Sequence, residues 1–148
     1  MSTKLFSTTD NAGLTLIRVA LGAVMLPHGL QKTFGLFGGY GWEGTMGFFT
    51  GQMGIPALFA ALAILAESAG AVALIAGFLG RITALGIGSV MIGAAVMVHA
   101  KVGFFMNWNG TQAGEGYEFH ILATAMAALI VWQGSGAYSV DRLIAAKK

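Results

Sequence analysis

Eight ionisable residues lie in or beside long apolar stretches of the chain: Arg18, His28, Lys32, Glu67, His99, Lys101, Glu118 and His120. An ionisable side chain inside a bilayer costs at least a few kcal/mol on insertion scales, so each of these needs a partner or a task. Glu67 stands midway along AILAESAGAVAL, where its helical neighbours Ala63, Gly70 and Ala71 are small. Small faces let helices approach closely, which turns the Glu67 carboxyl towards the protein interior. There it is either protonated or paired with a cation. Arg18 is the expected partner, its long side chain reaching along the first helix. A buried Arg18–Glu67 pair would fix helix register; an unpaired Glu67 would handle protons or touch a ligand.

His28, Lys32, His99, Lys101, Glu118 and His120 share one depth, at the opposite membrane surface from Arg18. They are ligand-binding candidates together with Glu67: lysine and imidazole donate hydrogen bonds, and carboxylate and imidazole carry protons. On a regular helix Glu118 and His120 are 200° apart and cannot both face inward. If His120 faces the bundle, Glu118 favours the positive end of its helix. Two facing imidazoles, His28 and His99, could ligate haem b. No other metal site is expected, because the chain has no cysteine and no HExxH. The glycine-rich GLFGGYGWEG lacks the preceding strand, the following helix and the Lys-Ser/Thr ending of a phosphate loop.

The elements that position these groups follow from composition. Of 148 residues, 56% are hydrophobic and 9% charged, against roughly 25% charged in soluble domains. In water such a surface would aggregate. The chain is expected to form one domain, residues 1–148, with spans at about 12–31, 56–79, 82–99 and 117–133. Backbone groups must pair internally in hydrocarbon, and continuous Ala- and Leu-rich runs favour helices over barrel strands. The expected fold is all-α: a polytopic membrane protein, a four-transmembrane-helix bundle with long outer loops. Pro27 is expected to kink or end the first helix. The connections at about 33–55 and 100–116 are expected as long loops rich in aromatic residues. A very short turn at Arg81 joins the second and third spans as a hairpin.

Four spans put Lys4, Arg81, Arg142, Lys147 and Lys148 on one side and Lys32 and Lys101 on the other. The positive-inside rule then places both termini in the cytoplasm. No cleaved signal peptide is expected. Eight Lys and Arg spread along the chain form no basic patch, so no nucleic-acid partner is expected.

Several segments resemble the DoxX family of small bacterial membrane proteins. They are RVALG (18–22), HGLQKTFGLFGGYG (28–41), Gly54 and Pro56, and the Glu67, Gly70, Leu74, Gly77, Arg81 spacing. HAKVGFF (99–105), GYEFH (116–120) and GSGAYSVD (134–141) complete the set. The resemblance implies a four-helix integral protein of a bacterial inner membrane, associated with quinone-linked oxidoreductases, and transfers no catalytic residue. The functional expectation is a quinone-interacting or redox-associated membrane subunit with a polar pocket near the outer face, in contact with lipid and a redox partner protein. Whether it is itself an enzyme stays open. The alternatives are a non-catalytic scaffold or anchor for a redox partner, and a transporter of small solutes or protons. The small-residue faces also allow a homo-oligomer.

Overall fold

The structure is a computed structural model that describes residues 5–146. Lys4, Lys147 and Lys148, which enter the charge asymmetry, lie outside the described residues. Among the described residues the chain is helical throughout, with no strand.

Helix α1 (Ala12–Phe34) starts where the Asn11 side chain accepts from the Gly13 and Leu14 amides, at 2.8 and 3.3 Å. Such a cap is worth about 1 kcal/mol. It ends at Gly35, whose left-handed φ of 72° suits a residue without Cβ. Pro27 neither ends nor interrupts it: the helix runs on for seven residues. Proline is tolerated in apolar helices where neighbouring elements hold the freed carbonyl. The 33–55 connection is also more ordered than expected. It folds into a turn at Leu36–Gly38, a short helix α2 (Gly41–Gly47) and a wide π turn (Phe48–Gln52). Its glycines serve the joints of these pieces, as at Gly39, where a Cβ would overlap the Gln31 backbone.

The second apolar segment is two helices, α3 (Ala57–Glu67) and α4 (Ala69–Ala76), broken at Ser68, whose φ and ψ are −99° and −84°. The break falls directly after Glu67. Gly77 and Leu79, both with positive φ, make the tight turn into α5 (Gly80–Met97). A turn at His99–Lys101 and a loop lead to α6 (Glu118–Gln133) and a short α7 (Val140–Ala146).

Helix α5 packs along α6, and α1 packs on α4 and crosses α2, α3 and α6. The core is small and aliphatic: Leu21, Met25, Ala71, Leu74, Ala84, Ile87, Ala127 and Ile130. Glycines bring the helices together: a Cβ on Gly29 would overlap the Glu67 carbonyl oxygen. The large apolar residues face outward instead. Leu16, Leu58, Leu62, Leu85, Val96 and Leu122 are each at least half exposed. That distribution suits hydrocarbon and not water. The segments Ala12–Phe34, Ala57–Ala76 and Gly80–Lys101 are long and apolar enough to cross a membrane. Helix α6, with 16 residues, is about 24 Å long, shorter than the roughly 30 Å of a bilayer core.

Candidate functional site

The two ends of the bundle use their polar residues differently. One end, the terminal end, holds both described chain ends: the Ala137 amide donates to the Asn11 carbonyl at 3.2 Å, and Arg142 pairs with Asp10. Arg18 lies here, 1% exposed. Its Nε donates to the Ser135 carbonyl (2.8 Å), Nη2 to the Tyr138 carbonyl (2.7 Å), and Nη1 to the carbonyls of Leu74 (2.6 Å) and Ile75. A guanidinium thus closes the C-terminus of α4, where unpaired carbonyls carry partial negative charge. Arg81 does the same for α6, donating to the Val131 and Trp132 carbonyls.

Asp141 completes this end. Its carboxylate accepts from the Leu79 amide (2.8 Å), the Gly80 amide (2.9 Å) and the Ser135 hydroxyl (2.6 Å). It caps the N-terminus of α5 from sixty residues away and holds Leu79 in its left-handed conformation. The Asp141 role was not read from the sequence; its only signal was the GSGAYSVD stretch in which it stands.

The expected Arg18–Glu67 pair does not form. Glu67 is seven residues before Leu74 on the α3–α4 segment, about 10 Å along its axis, and Arg18 is held at the level of Leu74. Glu67 pairs with Lys32, Nζ to Oε2 at 2.6 Å. Gly29 and Lys32 are one turn apart on α1, so the close crossing at Gly29 sets Lys32 against Glu67.

This pair lies in the wall of a cavity of about 1070 Å³ at the other end, the loop end. His28, Lys32, Glu67, His99 and His120 all line it, drawn from α1, α3, the turn after α5, and α6. The rings of His99 and His120 lie 4.1 Å apart, centroid to centroid, and His28 tilts against Phe119 at 6.5 Å. His99 Nδ1 is 2.8 Å from the Glu115 carbonyl. A carbonyl only accepts, so Nδ1 carries the proton and Nε2 of the neutral ring keeps its lone pair. His120 is 7% exposed, and its Nδ1 has no hydrogen-bond partner among the described residues. Buried polar atoms are rarely left so.

Two candidates are not in this group. Lys101 is exposed and does not line the cavity. Glu118 turns away from it, accepting from the Met106 amide (2.9 Å) and Trp108 Nε1 (3.4 Å), and so ties down the 102–117 loop. Glu115 was missed, since it acts on His99 through a backbone carbonyl that no residue type announces. The rest of the wall is mostly apolar, with Met25, Phe48, Phe49, Met106 and Phe119 around the polar groups and Thr83, Ser89 and Glu115 the exceptions. Among the described residues, no group of three or more His, Asp or Glu is placed to hold a metal ion.

A family model described as DoxX matches residues 13–100, which run from the first turn of α1 to the turn after α5. The chain belongs to the DoxX family. His28, Lys32, Glu67 and His99 fall inside the matched region; Glu115 and His120 follow it. The chain is also similar to the "Putative oxidoreductase CatD" of Bacillus subtilis (strain 168), 34% identical over 95 residues. That similarity covers 64% of this chain and 66% of the relative, just under two thirds of its length. No solved structure matches the chain. Family and helices together make it a DoxX-like membrane protein.

Proposed function

We propose that the loop-end cavity binds the ring of a membrane quinone and that this DoxX protein is the quinone-binding subunit of an oxidoreductase assembly. The observation that carries the reading is the clustering, in one largely apolar cavity, of an ammonium, a carboxylate and three imidazoles, one of them buried without a partner. A quinone ring needs apolar walls, a donor at each carbonyl and a route for protons. Lys32 and His28 serve as donors. Glu67, paired with Lys32, and His99, with its free Nε2, serve as proton carriers. Reduction of a quinone takes up two electrons and two protons. In this reading the protons pass through these side chains, and a partner oxidoreductase supplies the electrons. The name of the Bacillus subtilis relative supports a redox setting.

The reading includes four crossings, with α6 as the short fourth span, in a bacterial inner membrane. Arg81 and Arg142 at the terminal end face the cytoplasm. Transport through the bundle fits less well, because the terminal end is closed by Arg18, Arg81 and Asp141 bonded to backbone.

The test is a titration of purified protein in lipid nanodiscs with a tailless benzoquinone, read by quenching of tryptophan fluorescence and by the shift in thermal unfolding. Saturable binding is expected, weakened about tenfold in His120→Ala and in Lys32→Ala, a loss of about 1.4 kcal/mol each. Absence of a saturable signal in the wild-type protein sinks the quinone reading and leaves a scaffold for a redox partner.

A further inference from the structure

The cavity is larger and longer than a ring requires. Drug-sized ligands fill roughly 300–1,000 Å³, and this space reaches about 1070 Å³. Its α5 wall includes one continuous stripe: Ile82, Gly86, Ser89, Gly93 and Met97. Their spacings of three and four residues put all five on one helix face. From Ile82 to Met97 the stripe runs about 22 Å, roughly three quarters of a bilayer core. A quinone ring covers only about one helical turn, 5.4 Å.

The polar groups occupy one end of this space. Towards the terminal end the walls are apolar or small, and the helices touch at its floor, where a Cβ on Gly86 would sit 3.3 Å from Ala66 Cβ. The rim faces the surroundings, with Leu62 51% and Ile82 50% exposed. In a membrane those residues face acyl chains, so the groove between α3–α4 and α5 opens sideways into lipid.

We propose that this groove is a lateral slot for the isoprenoid tail of the quinone, which enters from the bilayer and places its ring among Lys32, Glu67, His99 and His120. The inference rests on the quinone reading and adds to it the seat of the tail and the lateral route by which the ligand enters. Continuity with the buried, unpartnered His120 distinguishes the slot from an ordinary small-residue seam, which would have no polar terminus. Binding buries the tail against Gly93, where the missing side chain leaves room.

Gly93→Leu tests the slot. A Cβ at Gly93 meets nothing within 4 Å, so the substitution fills space without displacing backbone, and it favours the helix. Two probes are compared in nanodiscs: 2,3-dimethoxy-5-methyl-1,4-benzoquinone, and the same ring carrying two isoprene units. Affinity for the tailed compound is expected to fall at least tenfold in Gly93→Leu, with affinity for the bare ring within twofold of wild type. Ser89→Leu, on the same stripe, should act alike and guards against a single misfolded variant. If both compounds bind the wild type and the variants affect them equally or not at all, the slot is wrong and the ring site stands. If neither compound binds the wild type, both readings fall. Equal competition of the tailed quinone by a phospholipid that does not displace the ring assigns the groove to acyl chains and overturns the proposal. So does a disulfide dimer of Ser89→Cys protein in native membranes, which would place a second copy there.

Discussion

The terminal end and the loop end of this bundle both bury charge, and they do so for opposite purposes. At the terminal end, Arg18 and Asp141 are each 1% exposed, and all their bonds but the one from the Ser135 hydroxyl go to backbone carbonyls and amides. They complete helix termini that lack intrahelical partners. At the loop end, Lys32, Glu67, His99 and His120 line an open cavity and keep capacity unused. In a solvent without water, a buried ion is structural when helix ends consume its valences. It becomes available for chemistry when they do not.

The largest expected effect tests the structural side. Arg18→Met leaves the Ser135, Ile75 and Tyr138 carbonyls without their side-chain donor, while the Leu74 carbonyl keeps the Gly77 amide at 3.0 Å, and each unpaired buried carbonyl costs about 1–3 kcal/mol. We expect a loss of about 3 kcal/mol or more in the free energy of denaturant unfolding in micelles, or failure to accumulate in membranes. Arg18→Lys recovers only part of it, because an ammonium cannot reproduce the planar fork that reaches two chain segments at once. Full recovery by lysine would mean that charge alone matters there.

Gly29→Ala comes next and links the ends. The added methyl would overlap the Glu67 carbonyl, so α1 must move off the α3–α4 break. Overpacking of this kind costs about 1–3 kcal/mol, against a helix-propensity gain of about 1 kcal/mol. Net destabilisation is expected, together with weaker quinone binding, since Lys32 and Glu67 are brought together by that crossing. A more stable protein with unchanged binding would show that the crossing does not set the site.

How much of this was legible in the sequence depends on whether a property runs along one helix or between two. The common depth of His28, His99 and His120 is a count along the chain, and with Lys32 and Glu67 they make five of the seven expected site residues that line one cavity. The inward turn of Glu67 is a local matter too, because its small neighbours are on its own segment. Its partner is not local. The choice between Arg18 and Lys32 depends on how far α1 slides past α3–α4, and that is set by close glycine contacts, Gly29 on Glu67 and Gly22 on Ala71 and Ile75. Pro27 does not end its helix for a related reason, since its effect depends on neighbours that its own segment does not contain. Asp141 acts on an amide pair sixty residues earlier, and Glu115 acts through its backbone; neither role has a spacing to read.

Glu67→Gln should separate the ends by effect. The Lys32 side chain is 25% exposed and can turn to water when its partner is neutralised. Stability is therefore expected to change by about 1 kcal/mol or less, while ring binding falls about tenfold. A stability loss as large as that of Arg18→Met would make the Lys32–Glu67 pair a structural lock like those at the terminal end.

The smallest effect is expected from the exposed pair that ties the two described chain ends together. Arg142 Nη2 donates to Asp10 Oδ2 at 2.7 Å, with side chains 40% and 71% exposed. The hydrogen bond from Arg142 holds the Asp10 carboxyl below its ordinary value of 3.8. A carboxyl lowered on folding contributes stability above its unfolded pKa and loses it as pH falls through the folded one. Any contribution therefore belongs to neutral pH and disappears in acid. Water and salt screen a pair this exposed, so Arg142→Gln should leave the unfolding midpoint at pH 7 unmoved. It should return the Asp10 titration, followed by carboxyl carbon NMR, to the ordinary range, and high salt should do the same to the wild type. A shift in midpoint comparable to that of Arg18→Met would show that the terminal end is held by its surface charges as much as by its buried ones, and the contrast between the two ends would need a different cause.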